Sequence, residues 1–448
     1  MDMISKTQQT GKWVVLPHYA FAALAFLALN VLLLFSTDAF GGHFFHPKLL
    51  TLTHIAALGW GTMIIFGALY QLLPVILEVP LYSAKLAKIT FTLLASGTVL
   101  LAWAFWNFQV HWPLHVAGCA LVLAFLLFNL NVMFTVRQVK KWAIETDFIS
   151  TSGIWLFITG VIGLLMAINF QFPFLPESHL HYLKLHAHVG MAGWFLLLII
   201  GVGSKLLPMF LLSHHVGTKK LHISYYLINL GLVLFAADHL FFHTPYYFVY
   251  GLLVGLGMVL FALFVLDAYR KRVRKNQDAG MQQSLLAVVL MALPIVMVVA
   301  VSELVNMPEK LRLHLYLVYG ISIFMGFISA LILGQTFKTL PFIIWMHQYQ
   351  HLVGKQPVPQ PKDLYSDGLV KMQNYTYLGG FVVLLVGTAL YHQKLILFGG
   401  SLLFFTALLY CGQVFKMLFM SFSSPKLIEN TIGANQTVSS AKEVYHEK

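Results

Sequence analysis

One stretch constrains this chain more than any other: Lys184 to Leu212, KLHAHVGMAGWFLLLIIGVGSKLLPMFLL. It is long and apolar enough to cross a bilayer, so its backbone has to satisfy its own polar groups as a helix. Near its start stand His186 and His188. Residues two apart on a helix point about 200° apart around the axis. One such helix therefore offers an imidazole to each of two neighbouring spaces. An ionisable side chain at membrane depth is costly and reads first as a functional site.

The rest of the chain supplies the same kind of material. It has 448 residues, 59% hydrophobic and only 10% charged, the composition of a polytopic membrane protein. Twelve apolar segments fall at roughly 17–36, 49–77, 86–107, 114–137, 150–171, 183–212, 222–243, 246–268, 284–304, 312–346, 374–391 and 394–420. The fold class expected is all-α integral membrane, with residues 1–16 and 421–448 as tails around a domain at 17–420. Cys119 and Cys411 both lie inside apolar spans and offer no disulfide framework.

Charge sets an orientation. Lys85, Lys88, Arg137, Lys140, Lys141, Lys219, Lys220, the run Arg270 to Lys275, Lys355, Lys362 and Lys371 all fall on one side. The positive-inside rule then makes both termini cytoplasmic, in a bacterial inner membrane. The net charge of +12 is a topology signal, and no soluble basic domain exists to bind nucleic acid. Lys205 and Lys338 are expected to snorkel to the interface, and His179 and His181 to be solvated loop residues.

An internal repeat organises the spans. With no gap, His54 aligns with His188, Gly59–Trp60 with Gly193–Trp194, Gly67 with Gly201, and Leu72–Leu73–Pro74 with Leu206–Leu207–Pro208. In span ten Gly334 precedes Pro341 at the same spacing, and Ile321 takes the position of His54. His314 lies seven residues earlier, about 10 Å further along the helix. Three units of four helices follow. Their histidines, including His239 and His243 at the end of span seven, share the outer half of the bilayer. Histidines facing one another across a bundle suit haem, copper or iron. His239 and His243 sit four apart for a shared metal, with Asp238 beside them.

The H-x-H, Gly-Trp, Gly, Leu-Leu-Pro pattern resembles the haem-ligating helix of haem–copper oxidase subunit I, nearest to the C-type oxidases and nitric-oxide reductases. The resemblance implies twelve helices in three pseudo-repeated arcs. It implies haem b, one or two, with copper as an optional second metal. By that likeness His54 matches the helix-two haem ligand and His188 the helix-six copper ligand. His239 matches a second copper ligand, and His314 the helix-ten histidine. The departures are Asp238 and Tyr316, which stand where further histidines would, and Ala192, which stands four residues after His188 in place of a tyrosine. A rotated arrangement stands equally: His186 and His188 serve two spaces, with His54 across one and His314 across the other. The resemblance implies reduction of a diatomic gas, oxygen or nitric oxide, with electrons from a partner subunit or quinol. The alternative is a membrane protein that binds haem or copper without turnover, for nitric-oxide tolerance, sensing or metal handling.

Overall fold

The computed structural model describes residues 10–244, 246–303 and 308–421, and among these it is helical with no strand. Parts of both expected tails, 1–9 and 422–448, lie outside the described residues. Twelve helices are long and apolar enough to cross a membrane. Spans one to four are Lys12–Leu34, Pro47–Leu77, Ala84–Trp106 and Trp112–Val136. Spans five to eight are Ile144–Gln171, His179–Leu211, Lys219–Phe242 and Tyr247–Arg270. Spans nine to twelve are Ala279–Val298, Leu311–Gln348, Asp367–Ala389 and Gln393–Met420. This is a multi-pass membrane protein whose outward apolar faces suit a lipid bilayer. Span one starts five residues before the expected boundary, at Lys12.

Spans two, six and ten form the centre. The share of their most apolar stretch that is buried is 83%, 67% and 67%, against 28–44% for the eight spans other than span one. These three spans carry the repeat, and the repeat is physical. Each changes from α- to π-helical winding at the same register: at Ile55 just after His54, at Val189 just after His188, and at Ser322 just after Ile321. Single π turns inside α-helices cluster at functional sites because they free backbone groups and re-aim side chains. In span ten the freed carbonyls of Met325 and Gly326 are taken by the hydroxyl of Tyr377, at 2.8 Å from Gly326 O.

Two glycine registers let neighbours in. A Cβ on Gly59, Gly193 or Gly326 would meet Ala25 at 3.0 Å, Trp155 at 2.6 Å or Phe381 at 2.9 Å. Lower down, a Cβ on Gly67, Gly201 or Gly334 would meet His18, Phe148 or the Gly280 carbonyl at 2.5–2.6 Å. Spans one and five thus press on spans two and six at both registers, while span ten takes Phe381 of span eleven at the upper one and span nine at the lower, with small residues at the contact.

Between the two registers the central helices are tied together. Trp194 Nε1 donates to Thr62 Oγ1 at 3.0 Å, and Trp60 Nε1 donates to Ser329 Oγ at 3.1 Å. The donors hold equivalent positions in spans six and two, and the acceptors hold equivalent positions in spans two and ten. The third donor position is Phe327 and the third acceptor position Leu196. Donor and acceptor are lost together, which leaves no unpaired polar group behind. On the cation-rich side of these tryptophans lies a cavity of about 110 Å³ lined mainly by Ile64, Leu198, Val202, Leu206, Ile328 and Leu331. A space so apolar stays dry.

Lys338 does not snorkel. Its Nζ lies 2.5 Å from Asp278 Oδ2, with only 11% and 18% of the two side chains exposed. Asp278 also caps span nine by accepting from the Met281 amide at 3.0 Å. Burial opposes its charge, but Lys338 and the Met281 amide outweigh burial and hold the carboxyl below its ordinary range. Span ten thus reaches the cation-rich face already neutralised, which an exposed lysine would not achieve.

Two outcomes are expected. Trp194→Phe and Thr62→Val should each lower unfolding free energy by about 1–3 kcal/mol, and the double variant by little more than either single. Denaturation of the four proteins in detergent measures that coupling. Asp278→Asn keeps the cap but strands Lys338, and should cost about 3 kcal/mol at neutral pH. A carboxyl held low in the folded state stabilises above its unfolded pKa and stops doing so as pH falls through the folded value. The gap between wild type and variant in melting scans should therefore close only below pH ~4.

Candidate functional site

The site is built by two histidines from different spans. His54 closes the α-helical start of span two, and its Nδ1 lies 2.7 Å from the carbonyl of Leu50 one turn back. His186 stands in the α-helical start of span six, and its Nδ1 lies 3.0 Å from the carbonyl of Thr159 in span five. A carbonyl only accepts, so Nδ1 carries the proton in both rings. Each Nε2 is then an unprotonated lone pair, the form in which imidazole binds a metal. Neither Nε2 has a hydrogen-bond partner among the described residues.

The two rings face each other with centroids 6.3 Å apart and planes 26° apart. Two explanations bear on that distance. Imidazoles in direct contact stack far closer, as His181 and His239 do at 3.8 Å. Two imidazoles on opposite sides of one metal ion stand about 6 Å apart, from two bonds of about 2.0 Å and roughly 1.1 Å from each nitrogen to its ring centre. The His54–His186 centroid spacing matches the second case, and it also lies within the range of ordinary ring pairs. Phe105 of span three flanks His54, its ring centroid 4.8 Å away. Gly163 of span five makes room for His186, since a Cβ there would lie 2.9 Å from its Cε1. Both histidines are half-buried. The pair therefore offers two unprotonated imidazole nitrogens from different spans, the donor type that haem iron takes.

The other expected ligands fall elsewhere. His188 has its Nδ1 2.8 Å from the Lys184 carbonyl, and its ring faces Tyr319 at 6.0 Å and Phe235 at 5.5 Å. His314 is buried and stacks on Tyr391 with centroids 5.1 Å apart. His239 Nε2 lies 2.9 Å from the His181 carbonyl, and His181 Nε2 lies 3.1 Å from the His239 carbonyl, a reciprocal clasp between spans six and seven. His181 is thus part of span six and packed, not solvated, and His179 stacks on Phe170 at 4.2 Å. His239 and His243 do not share a helical face. Residues 238–242 wind as a π turn, and His243 has a left-handed backbone with φ 54°.

Among the described residues no three His, Cys, Asp or Glu side chains are grouped to hold one metal ion. His188, His239 and His243 are therefore not grouped as a copper site among the described residues. Thr159, Phe105 and Gly163, which position the pair, carry no signal of their own in the sequence. No protein-family model matches the chain, and neither does any curated protein.

Proposed function

We propose that this chain is a membrane haem protein that holds one b-type haem between His54 and His186 and passes electrons through it. The observation that carries the reading is the His54–His186 spacing of 6.3 Å between rings whose Nδ1 protons are both committed to carbonyls. When bound, the haem supplies one-electron chemistry. His54 and His186 would be the residues that hold it. The chain's own contribution is rigid: Leu50 and Thr159 fix the tautomers, and Phe105 and Gly163 shape the two flanks.

This reading is an electron carrier, distinct both from gas reduction and from a haem or copper binder for nitric-oxide tolerance, sensing or metal handling; the ring of His239, one of the expected copper ligands, is engaged with the His181 carbonyl. The three-unit architecture supports a divergent relation to haem–copper oxidase subunit I. If the cation-rich face is cytoplasmic, both termini are cytoplasmic and the haem lies in the outer half of a bacterial inner membrane. Electrons then come from a partner subunit or a quinol.

Protein purified from haem-replete cells is expected to show a low-spin b-type spectrum with no carbon monoxide difference band. His54→Ala and His186→Ala should each lower haem content at least about tenfold. Protein that purifies colourless and binds no added haem overturns the reading. Gly163→Val removes no ligand but crowds the His186 ring, and should also lower the haem-to-protein ratio by absorbance while leaving the far-ultraviolet helix signal intact.

A further inference from the structure

The His54–His186 arrangement recurs once, and one residue is changed. His188 holds in span six the register that His54 holds in span two. Each donates Nδ1–H to the carbonyl four residues earlier, at 2.8 Å and 2.7 Å. Each is flanked by a phenylalanine of the following span, Phe235 at 5.5 Å and Phe105 at 4.8 Å. Each faces the residue two positions before the aligned site of the next unit. For His54 that residue is His186, at 6.3 Å and 26°. For His188 it is Tyr319, at 6.0 Å and 24°. At the third interface the two positions are Ile321 and Leu52, with no ligand on either side.

Tyr319 does not simply replace a ligand. An iron bound to His188 on the line between the rings would sit about 3.1 Å from the imidazole centre, by a bond of about 2.0 Å. That leaves about 2.9 Å to the centre of the Tyr319 ring, inside van der Waals contact. The phenol ring stands where the metal would be. Its larger ring at nearly the same separation closes the gap that the smaller His186 ring leaves open.

We propose that Tyr319 sets the haem stoichiometry of this protein at one: it blocks a second, otherwise complete imidazole site between spans six and ten, and Tyr319→His opens that site to a second haem with two axial histidines. The proposal rests on the His54–His186 reading for the first haem, but its readout is the change that one substitution makes.

The test is the haem-to-protein ratio of full-length protein, with low-temperature paramagnetic resonance of the oxidised iron. Tyr319→His is expected to raise the ratio by one and add a second low-spin signal. Adding His188→Ala to Tyr319→His should remove that signal and return the ratio to the wild-type value. Adding His54→Ala instead should remove the first signal and keep the second. Tyr319→Phe is expected to leave the ratio unchanged, because the ring and not the hydroxyl is the block.

A folded Tyr319→His protein with the wild-type ratio overturns the proposal. So does a wild type with two haems, one of them lost on His188→Ala. A haem-free wild type whose Tyr319→His form gains one haem would sink the first reading and the count of one, and leave only the block at Tyr319 standing. If both forms are haem-free, both fall.

Discussion

A histidine at membrane depth has to put its N–H somewhere, and that requirement governs the whole site. Water is not there to accept it, and an unpaired buried donor costs about 1–3 kcal/mol. In this protein His54, His186 and His188 all solve the problem in one way, with Nδ1–H on a backbone carbonyl. The solution fixes the tautomer, and the tautomer leaves Nε2 as the free group. Everything that distinguishes the three then depends on what stands opposite that nitrogen. In the proposed reading another imidazole at 6.3 Å makes a site, and a phenol at 6.0 Å closes one.

The same economy runs through the centre of the bundle. The repeat places equivalent residues at three interfaces, and at the tryptophan register the polar groups survive in matched pairs. Two tryptophan donors find two hydroxyl acceptors, and where the acceptor becomes Leu196 the donor has become Phe327. The ligand positions do not follow this rule at the second interface, where His188 meets a tyrosine. Its Nε2 keeps no partner among the described residues. A mismatch of that kind inside otherwise matched pairs is what singles out Tyr319.

Much of this was legible in the sequence for a plain reason. Spans are read from length and hydropathy, which the bilayer enforces, and the repeat is read from ungapped identities such as His54 with His188. The π turns after those positions vindicate the alignment, including Ile321 as the third member. What faces what was not legible. His186 stands opposite His54 because of how two arcs rotate about each other, and no spacing within one helix reports that. His239 and His243 looked like a chelating pair because a regular helix was assumed between them. The π turn and the left-handed backbone at His243 break that geometry. His181 looked like a loop residue because the start of span six is polar, yet it is packed against His239. Lys338 looked solvated because its partner, Asp278, is 60 residues away.

The surroundings of the pair bear on electron transfer against gas reduction. Reducing oxygen or nitric oxide consumes protons, and these have to reach the reacting atoms. From the cation-rich face, span ten offers Lys338, Gln335, Thr336 and Thr339, the last hydrogen-bonded to Tyr19 at 2.9 Å. Gln335, Thr336, Thr339 and Tyr19 line one end of the cavity, whose other walls are apolar, and past it comes the layer of Trp60 and Trp194, whose N–H groups already point at Ser329 and Thr62. A dry cavity and two committed donors make a poor proton path. An electron needs neither water nor a hydroxyl chain, and it is helped by ligands that do not move when the iron changes charge. His54 is held by its own helix and His186 by span five, with a π turn locking the backbone directly after one and close after the other. Rigidity of the ligands and dryness beneath them are one design, and it suits a carrier of electrons.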